Sequence, residues 1–493
     1  VGKSIIAAAF CRIFRQDGYH PAPFKAQNMA LNSYATPEGL EIGRAQAVQA
    51  EAAGVPCHTD MNPLLLKPSS DHTSQVVLNG RPIGNRSAYE YFRVEGREEL
   101  RHEVCSAFDR LASRYNPIVM EGAGSISEIN LRDTDLVNLP MALHAGADVI
   151  LVGDIDRGGV FASVYGSLML LRPYERERIK GILINKFRGD IRLFESGVKM
   201  LEELCGIPVV GVVPYYKDIY IEEEDSLALA TKSVQTEQGK VNIAVVLLRH
   251  LSNFTDFNVL ERDPRVHLFY TNNVDELAKA DIILLPGSKS TLADLHELRR
   301  NGVAQAVIRA HREGATVMGI CGGYQIMGQE VCDPDHVEGE IERLPGLGLL
   351  PVSTHMTGEK ITRQIKFRLS AVARENSHLS TDGMQANLEG YEIHMGTTVP
   401  VYDAPVSPLN LLEDGGADGY FLDRTCIGTY IHGILDNPSF IDFLLEPFAD
   451  KIADAGKSFD YHQFKEEQYN KLADHVRSHV DLLLIYKILT THD

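Results

Sequence analysis

The sequence predicts an α/β protein of two doubly wound domains, and three features of the chain support this prediction. In the first half, short apolar runs near residues 21–24, 117–121, 149–154, 179–185 and 209–214 alternate with helical patterns, as is typical of buried parallel strands. A polar, acidic stretch from Ile221 to Lys240 separates this half from a new strand beginning at Val241. The alternation then resumes, with strands at 266–270, 282–285 and 317–320. We therefore expect one domain over residues 1–230, a second over 241–448 and a helical extension over 449–493.

Length and composition agree with ordinary globular domains. A chain of 493 residues is too long for a single core. Its 44% hydrophobic and 23% charged residues exclude a disordered, collagen-like or coiled-coil protein. The net charge of −19 argues against a nucleic-acid partner held by a broad basic face, although a local cationic pocket is compatible with it.

The cysteines and the apolar runs bear on the compartment. Seven cysteines are scattered without a CxxC pair, which favours reduced thiols over a disulfide framework or a zinc site. The apolar runs are strand-sized, so no membrane-spanning segment is predicted. The chain has no charged-then-apolar leader and opens at VGKS as if a longer protein began several residues earlier. We expect a cytoplasmic protein.

The first residues match the second half of a phosphate-binding loop that runs into a helix. Gly2, Lys3 and Ser4 are followed by the apolar run IIAAAF. In such a loop, backbone N–H groups meet phosphate oxygens, the lysine neutralises charge, and the serine hydroxyl ligates Mg²⁺. The pattern predicts an ATP site here, although a lone GKS is a weak signal. Since the loop's first glycine is missing, we expect a protein beginning at Val1 to bind ATP poorly.

Polar residues at the carboxyl ends of several predicted strands strengthen this interpretation. Lys25 follows one strand, Glu121 and Asp154 end two others, and Asn185 ends a fourth. An isolated carboxylate at a strand end is commonly just solvated, but open α/β sheets bind ligands at this edge. We expect Lys25 and Asn185 to contact the nucleotide, and Ser4, Glu121 and Asp154 to hold Mg²⁺.

The segment VMGICGGYQIMG carries the most specific local signal in the second half. A strand ends at Ile320, Cys321 takes the turn, and glycines lie two residues away on each side. This pattern is typical of a nucleophile elbow, in which a sharp turn exposes the sulfur and directs N–H groups at a developing oxyanion. The helix start also favours the thiolate. The competing interpretation, a buried structural cysteine, leaves the flanking glycines unexplained.

A cysteine nucleophile needs a base, and two histidines are candidates. His432 lies in IGTYIHGILDN and His394 lies in GYEIHMGTT. We favour His432 because the strand before it would present it at a sheet edge. The loop LLPGSKST, through Gly287 and Ser288, could supply a second oxyanion N–H, although a bland loop after a strand looks much the same.

A series of segments resembles the cobyric acid synthase family in order and spacing over essentially the whole chain. The most discriminating are FKAQNMALNS and EINLR, because phosphate loops and glutaminase elbows alone occur in many enzymes. The segments are VGKS, APFKAQNMALNS, EIGRAQAVQA, MNPLLLKP, SQVVLNG, EGAGSISEINLR, DIDRGGVFAS, INKFRGD, SNFTDF, LPGSKST, GICGGYQ, GYEIHMG and GTYIHG.

The resemblance implies a P-loop NTPase-like first domain, similar to dethiobiotin synthetase, and a class I (triad-type) glutamine amidotransferase domain with a flavodoxin-like sheet. Cys321 would attack the side-chain amide of glutamine and His432 would move the protons. Gly322 would contribute to the oxyanion hole, and Gln325 would help to seat the glutamine. Many related glutaminases carry a glutamate two residues after the histidine, where this chain has Ile434. The third triad member is therefore unassigned.

The resemblance also implies a substrate. The ATP domain would phosphorylate carboxylates b, d, e and g of adenosylcobyrinic acid a,c-diamide, and ammonia would displace phosphate. Asn28, Asn32 and Arg44 are the expected corrin contacts. Whether the protein forms a homo-oligomer is left open by the sequence.

Three alternatives remain. Cobyrinic acid a,c-diamide synthase performs the same two half-reactions on an earlier corrin. A partitioning-type P-loop ATPase would leave the Cys321 elbow unexplained. An inactive binding module is disfavoured because Lys3, Lys25, Glu121, Cys321 and His432 are all present.

Overall fold

The first domain contains eleven strands and seven helices among the residues that the structure describes. This computed structural model describes residues 1–68, 73–87, 97–222, 236–378, 387–401, 403–453 and 459–490. The strands are β1 (Ala22–Phe24), β2 (Gln27–Met29), β3 (Ser33–Ala35), β4 (Glu41–Gly43), β5 (Leu64–Pro68), β6 (Thr73–Leu78), β7 (Arg81–Ser87), β8 (Ile118–Met120), β9 (Val149–Asp154), β10 (Ile179–Phe187) and β11 (Val209–Pro214). The helices are α1 (Lys3–Gln16), α2 (Arg44–Ala53), α3 (Arg97–Ala112), α4 (Leu139–His144), α5 (Val160–Leu170), α6 (Pro173–Arg176) and α7 (Glu195–Cys205).

Parallel strands bring the predicted strand ends to one edge of this domain. Strands β1 and β8 pair in parallel with Phe24 opposite Met120, so the residues that follow them, Lys25 and Glu121, are neighbours. Strands β9, β10 and β11 form a second parallel sheet in which Asn185 lies opposite Asp154. The predicted parallel strands are thus confirmed to within a few residues.

The strands between β1 and β8 are not among those predicted from the sequence. A four-stranded sheet, β2-β5-β6-β7, and an antiparallel hairpin of β3 and β4 are inserted there. Several of these strands are only three residues long, such as QNM, SYA and EIG. Such segments are too short and too polar for a period-two apolar pattern to be recognised.

The second domain has fourteen described strands and six described helices. The strands are β12 (Val241–Val246), β13 (Leu251–Ser252), β14 (Val266–Thr271), β15 (Ile282–Leu285), β16 (Gly287–Ser288), β17 (Thr316–Ile320), β18 (Glu330–Cys332), β19 (Arg343–Pro345), β20 (Val352–Leu369), β21 (Leu388–Pro400), β22 (Asn410–Leu412), β23 (Ala417–Asp418), β24 (Tyr420–Asp423) and β25 (Cys426–Thr429). The helices are α8 (Val274–Leu277), α9 (Thr291–Arg300), α10 (Val303–Arg312), α11 (Gly322–Met327), α12 (Ala371–Glu375) and α13 (Pro438–Leu445).

A six-stranded sheet in the order β14-β12-β15-β17-β25-β24 forms the centre of this domain. Its first five strands are parallel and β24 is an antiparallel edge. Strand β12 is buried at every position, as expected for a parallel sheet covered on both faces. A second sheet, β19-β18-β20-β22-β23, carries β21 along the long strand β20. This sheet contains the β character predicted after Tyr391.

The last described helices, α14 (Tyr461–Arg477) and α15 (Leu482–Leu489), pack on the first domain. In α14, Arg477 pairs with Asp17, and the apolar residues Leu472 and Val476 join the core that contains α1. Residues 223–235 of the predicted interdomain stretch lie outside the described residues. Among the helices of the described ranges, none has the length and apolar character needed to cross a bilayer.

Candidate active sites

Cys321 occupies a sharp turn between β17 and α11. Its backbone angles, φ 53° and ψ −113°, are unfavourable for a residue with a side chain, and such strain is held only where the surroundings demand it. Its N–H donates to the carbonyl of Thr429 at 2.8 Å. A Cβ on Gly323 would lie 1.9 Å from the carbonyl oxygen of Leu285, so only glycine fits there. The flanking glycines therefore allow the turn that the sequence predicted.

His432 lies against this cysteine and is held by a carboxylate that sequence reasoning did not identify. The His432 imidazole is close enough to Cys321 for a negative charge on the sulfur to raise the imidazole pKa, and its Nδ1 lies 2.7 Å from Oδ2 of Asp256. The Cys321 thiol itself donates to the carbonyl of Ile393 at 3.6 Å. The other oxygen of Asp256 accepts the Gly433 N–H at 3.0 Å. Asp256 thus stands where a third triad member would, although 176 residues separate it from His432. Asp256 lies in SNFTDF, one of the segments that resemble the family. Nothing in the sequence indicated that this carboxylate would meet His432.

Burial and neighbouring charges shift the pKa of His432 in opposite directions. The side chain is 1% exposed, and burial alone would lower its pKa. The carboxylate of Asp256 and the charge of a Cys321 thiolate outweigh burial and raise the pKa of His432 to about 10. His432 is therefore an imidazolium at neutral pH, and it lies beside the sulfur of the candidate nucleophile.

The predicted oxyanion loop lies next to the elbow. Strand β16, which is Gly287 and Ser288, pairs with β13. A Cβ built on Gly322 would come within 2.8 Å of the Ser288 nitrogen, so the backbone of Ser288 faces the start of α11 beside Cys321. The Ser288 hydroxyl donates to Asp294 at 2.6 Å. The backbone N–H groups, rather than this hydroxyl, are thus placed to meet an oxyanion.

Gln325 and His394 are committed to protein contacts. Gln325 is buried, its amide nitrogen donates to the carbonyl of Met395 at 2.9 Å, and its oxygen accepts from Thr291 at 3.1 Å. Its amide therefore builds the wall of the site, which disfavours the expected contact with glutamine. His394 stacks on Tyr430 at 3.7 Å, and burial lowers its pKa to about 3. His394 is neutral at pH 7, and the described contacts bring His432, not His394, to the thiol.

The phosphate-loop residues meet the predicted strand ends in the first domain. Gly2 has a positive φ of 81° and precedes α1. Oε1 of Glu121 accepts from the Ser4 hydroxyl at 2.8 Å and from the Lys25 ammonium at 3.0 Å. Its other oxygen accepts from Gln49 at 2.7 Å, a contact that the sequence did not suggest. Lys3 donates to the carbonyl of Gly124 at 2.8 Å, and burial lowers its pKa.

Some of the residues expected to hold Mg²⁺ offer suitable oxygen ligands, and the others are engaged in protein contacts. The Ser4 hydroxyl and Glu121 carboxylate are adjacent hard oxygen ligands, and Mg²⁺ in nucleotide sites takes one or two such groups together with phosphates and water. Asp154 instead pairs with the Lys186 ammonium at 3.2 Å, and Asn185 donates to the carbonyl of Val1 at 2.9 Å. Within the described ranges, no cluster of three or more His, Cys, Asp or Glu side chains could hold a metal. A magnesium ion here would therefore depend on the nucleotide for most of its ligands.

The three expected substrate contacts are all buried, which argues against that role. Asn28 is 3% exposed and donates to Gln46 at 3.1 Å, and Asn32 is 1% exposed. Arg44 binds both carboxylate oxygens of Glu222, at 2.7 and 3.0 Å. The sequence indicated polar residues near the strand ends but not which way their side chains face. In this structure Asn28 and Arg44 make contacts within the first domain, and their role toward a substrate stays a prediction.

An open cavity of about 330 Å³ lies beside the phosphate loop. Gly124, whose carbonyl accepts from Lys3, forms part of its wall. Polar groups of Gln27, Arg132 and Asn138 line it together with apolar side chains such as Leu131. Its walls include residues of the EINLR segment.

Two family models match the two domains of this chain. Residues 1–228 match the CobQ/CobB/MinD/ParA nucleotide binding domain, and residues 242–440 match the CobB/CobQ-like glutamine amidotransferase domain. A cobyric acid synthase of Bacteroides fragilis is 83% identical over 100% of this chain and 97% of that protein. The chain belongs to the cobyric acid synthase family.

Other members of the family extend the match. Cobyric acid synthases of Phocaeicola vulgatus and Parabacteroides distasonis are 74% and 60% identical, over 100% and 98% of this chain and 97% and 96% of their own lengths. The expected architecture of a nucleotide-binding domain followed by a glutamine amidotransferase domain is thereby confirmed. As a member of this family the chain is an amidotransferase that uses glutamine and ATP.

Proposed function

We propose that this chain converts carboxylates b, d, e and g of adenosylcobyrinic acid a,c-diamide into amides, as a step of cobalamin biosynthesis. The observation that carries the proposal is the presence in one chain of a buried Cys321–His432–Asp256 constellation and a Lys3–Ser4–Glu121 cluster at a phosphate loop. A carboxylate is a poor electrophile, so it must be activated by ATP before nitrogen can be added. Glutamine supplies that nitrogen.

The glutaminase half-reaction starts from the thiolate of Cys321. The sulfur attacks the side-chain carbonyl of glutamine, and the N–H groups at the start of α11 and at Ser288 stabilise the oxyanion. The imidazolium of His432 then gives its proton to the departing ammonia, leaving a thioester. Water activated by the neutral imidazole hydrolyses the thioester and releases glutamate. Asp256 keeps the Nδ1 proton in place, so that Nε2 faces the sulfur.

The synthetase half-reaction belongs to the first domain. Lys3 and Lys25 would neutralise phosphate charge, and Ser4 and Glu121 would hold a magnesium ion, which would supply further positive charge to the phosphates. A substrate carboxylate oxygen attacks the γ-phosphorus and releases ADP. Ammonia then attacks the acyl carbon of the acyl phosphate and displaces phosphate. Delivery of ammonia from a site in the same protein raises its effective concentration in neutral form.

The cavity beside Lys3 is the proposed place of the reacting side arm. Its volume of about 330 Å³ suits one carboxylate arm and the edge of a ring, not a whole corrinoid. The neighbouring side chains of Met29 and Ile129 are 54% and 51% exposed, which gives an apolar surface beside the cavity. An open face of this kind would let one macrocycle present four different arms in turn to a single phosphate site.

Mass spectrometry of the product tests the proposal. Protein with an intact phosphate loop is incubated with ATP, Mg²⁺, glutamine and either adenosylcobyrinic acid a,c-diamide or adenosylcobyrinic acid. Addition of four amides to the diamide and none to the unamidated acid supports the proposal. Two amides on the unamidated acid would instead support the a,c-diamide synthase alternative. ATP hydrolysis without glutamate release would support a partitioning-type ATPase.

The proposed setting is the cytoplasm. Scattered cysteines, all free in the structure, suit a reducing compartment.

Omission of Mg²⁺ should abolish ATP-dependent amidation while glutamine hydrolysis continues, because the proposed glutaminase mechanism uses only protein groups.

A further inference from the structure

We propose that the hairpin of β3 and β4 in the first domain is a positioning element for the glutaminase centre of the second. Residues of this hairpin hold both neighbours of the His432 ring, so glutamine hydrolysis depends on side chains outside the glutaminase domain. The inference rests on the proposed glutaminase role of Cys321 and His432. It assigns a positioning role to Tyr34 and Ser33, which touch neither the thiol nor the imidazole.

The first contact reaches Asn253, three residues before Asp256, the carboxylate partner of His432. The backbone N–H of Ser33 donates to Oδ1 of Asn253 at 2.9 Å, and both residues are buried. Asn253 adopts a left-handed conformation with φ 52° and directly precedes the 3₁₀ helix Phe254–Phe257, which carries Asp256. A left-handed non-glycine residue needs outside contacts to hold it. The first domain therefore anchors the turn that delivers Asp256 to the imidazole.

The second contact reaches the imidazole face. The ring of Tyr34 packs edge-on against Tyr391, with centroids 4.5 Å apart, and Tyr391 stacks on the His432 ring at 5.3 Å. The guanidinium of Arg44 lies 4.9 Å from the centre of the Tyr34 ring, and Arg44 is itself fixed by Glu222. Arg44, Tyr34, Tyr391 and His432 thus form one continuous row of packed side chains across the domain boundary.

Buried polar contacts keep the hairpin docked. Gln364 of β20 donates to the carbonyl of Ala35 at 2.9 Å. Glu41 of β4 is 1% exposed and pairs with Lys67 of its own domain and with Lys360 of the second domain. A charge buried this deeply stays ionised only while its partners are in place. The two domains are therefore held in a defined register at the hairpin.

The physical consequence concerns the geometry of proton transfer. A displacement of ~1 Å at reacting groups, caused by a change elsewhere, can cost about 10²-fold in rate. Removal of the Tyr34 ring leaves Tyr391 unsupported on one side and frees the His432 ring to tilt away from Asp256 and Cys321. Because glutamine binding does not use this row, kcat for glutamine should fall while KM stays nearly constant.

The test compares Tyr34→Ala with Tyr34→Phe, the variant that keeps the ring. Glutamate release, amidation driven by glutamine and amidation driven by ammonium are measured on the full chain with an intact phosphate loop. We expect Tyr34→Ala to lower kcat for glutamine by at least about 10-fold, with a change in KM below about 3-fold. Tyr34→Phe and all ammonium-driven rates should stay within about 2-fold of wild type, since the acyl phosphate is made elsewhere.

Several outcomes would overturn the inference. A kcat for glutamine within about 2-fold of wild type in Tyr34→Ala refutes it. Equal loss of glutamine-driven and ammonium-driven rates also refutes it, because that shows a general structural role. If Tyr34→Ala does not fold, Asn253→Gly replaces it, since glycine keeps the left-handed backbone and removes the amide oxygen that accepts from Ser33. The same fall in kcat for glutamine is expected there, and an unchanged kcat refutes the inference. Absence of glutamate release by the wild-type protein would contradict the proposed function itself, a separate result.

Discussion

Substitution of Asp256 by asparagine should nearly abolish glutamine hydrolysis without disturbing the synthetase domain. The variant keeps the shape of the side chain and an oxygen that can accept the Gly433 N–H. It replaces the oxygen 2.7 Å from Nδ1 of His432 with either a neutral oxygen or an NH₂ group. An NH₂ group there would force Nδ1 to accept and would place the remaining ring proton on Nε2, facing the sulfur.

The expected magnitude follows from the charge that is lost. In the folded protein the pKa of His432 rises from 6.5 to about 10, a change equivalent to roughly 5 kcal/mol. Asp256 is the first of the groups that raise it, and breaking a buried pair typically costs about 3–5 kcal/mol. Relaxation will recover part of this, and a wrong tautomer in a triad costs about 10⁴-fold in kcat. We expect kcat for glutamine to fall between about 10² and 10⁴-fold.

The pH dependence gives a second readout with a definite sign. A raised pKa stabilises the folded protein fully below pH 6.5, and this stabilisation is lost as pH rises through about 10. Wild-type glutaminase should therefore keep its imidazolium well into the alkaline range. In Asp256→Asn, activity should decline with rising pH from near neutrality, and the alkaline contribution to stability should vanish.

The assay measures glutamate release by wild type and Asp256→Asn at several pH values, together with amidation driven by ammonium. Asp109→Asn is the matched control because Asp109 pairs with His144 at 2.9 Å on the surface of the first domain. The control should match wild type in every rate. Retention of glutaminase activity within about 3-fold of wild type in Asp256→Asn would refute the assignment of Asp256 as the orienting group.

Three further predictions concern the other groups. Cys321→Ser should abolish glutamate release and leave ammonium-driven amidation intact; loss of both rates would contradict two separate half-reactions. Glu121→Gln should weaken the dependence on Mg²⁺ and lower amidation from either nitrogen source by about 10²-fold or more, while glutamate release without ATP stays near wild type. Burial alone would raise the pKa of Glu41, but Lys360 and Lys67 outweigh burial and hold it well below its usual value of 4.5. The ionised Glu41 carboxylate therefore stabilises the folded protein above pH 4.5, and this stabilisation is lost as the pH falls. Glu41→Gln should lower the free energy of unfolding by about 3 kcal/mol at pH 7 and flatten the acid limb of a plot of melting temperature against pH. An unchanged acid limb would contradict this.

The sequence predicted the parts of the fold that have long apolar periods. The run VNIAVV is a fully buried strand, and the run VILVG is a strand that is only partly buried; a short continuous apolar run is typical of a strand in a parallel sheet. The inserted strands β2 to β7 escaped prediction because their burial comes from docking against the rest of the protein. Glu41, for example, is buried beside two lysines, Lys67 and Lys360, that lie far from it in the sequence and neutralise its charge in the folded chain.

In the candidate sites, too, residues in a local sequence pattern were predictable and residues whose role depends on distant parts of the chain were not. Cys321 was predictable because the turn imposes a local glycine pattern, and the phosphate loop is local as well. Asp256 was not predictable, since its meaning depends on His432, which lies far along the chain. The expected corrin contacts of Asn28, Asn32 and Arg44 stay predictions, and all three side chains are buried in this structure. Sequence proximity to strand ends does not tell whether a side chain faces the crevice or the core.

The placement of α14 and α15 affects how the polypeptide can be divided. Leu472, Ala473 and Val476 share an apolar core with Ile6 and Phe10 near the opposite terminus, and Val480 bridges to Gly211 of β11. Segments before and after the glutaminase lobe thus lie together in the first lobe, so the glutaminase lobe is inserted between them in the sequence. An amino-terminal fragment cut at the lobe boundary would expose part of its own interior to water. A self-sufficient synthetase fragment would instead have to join residues 1–222 to residues 459–490.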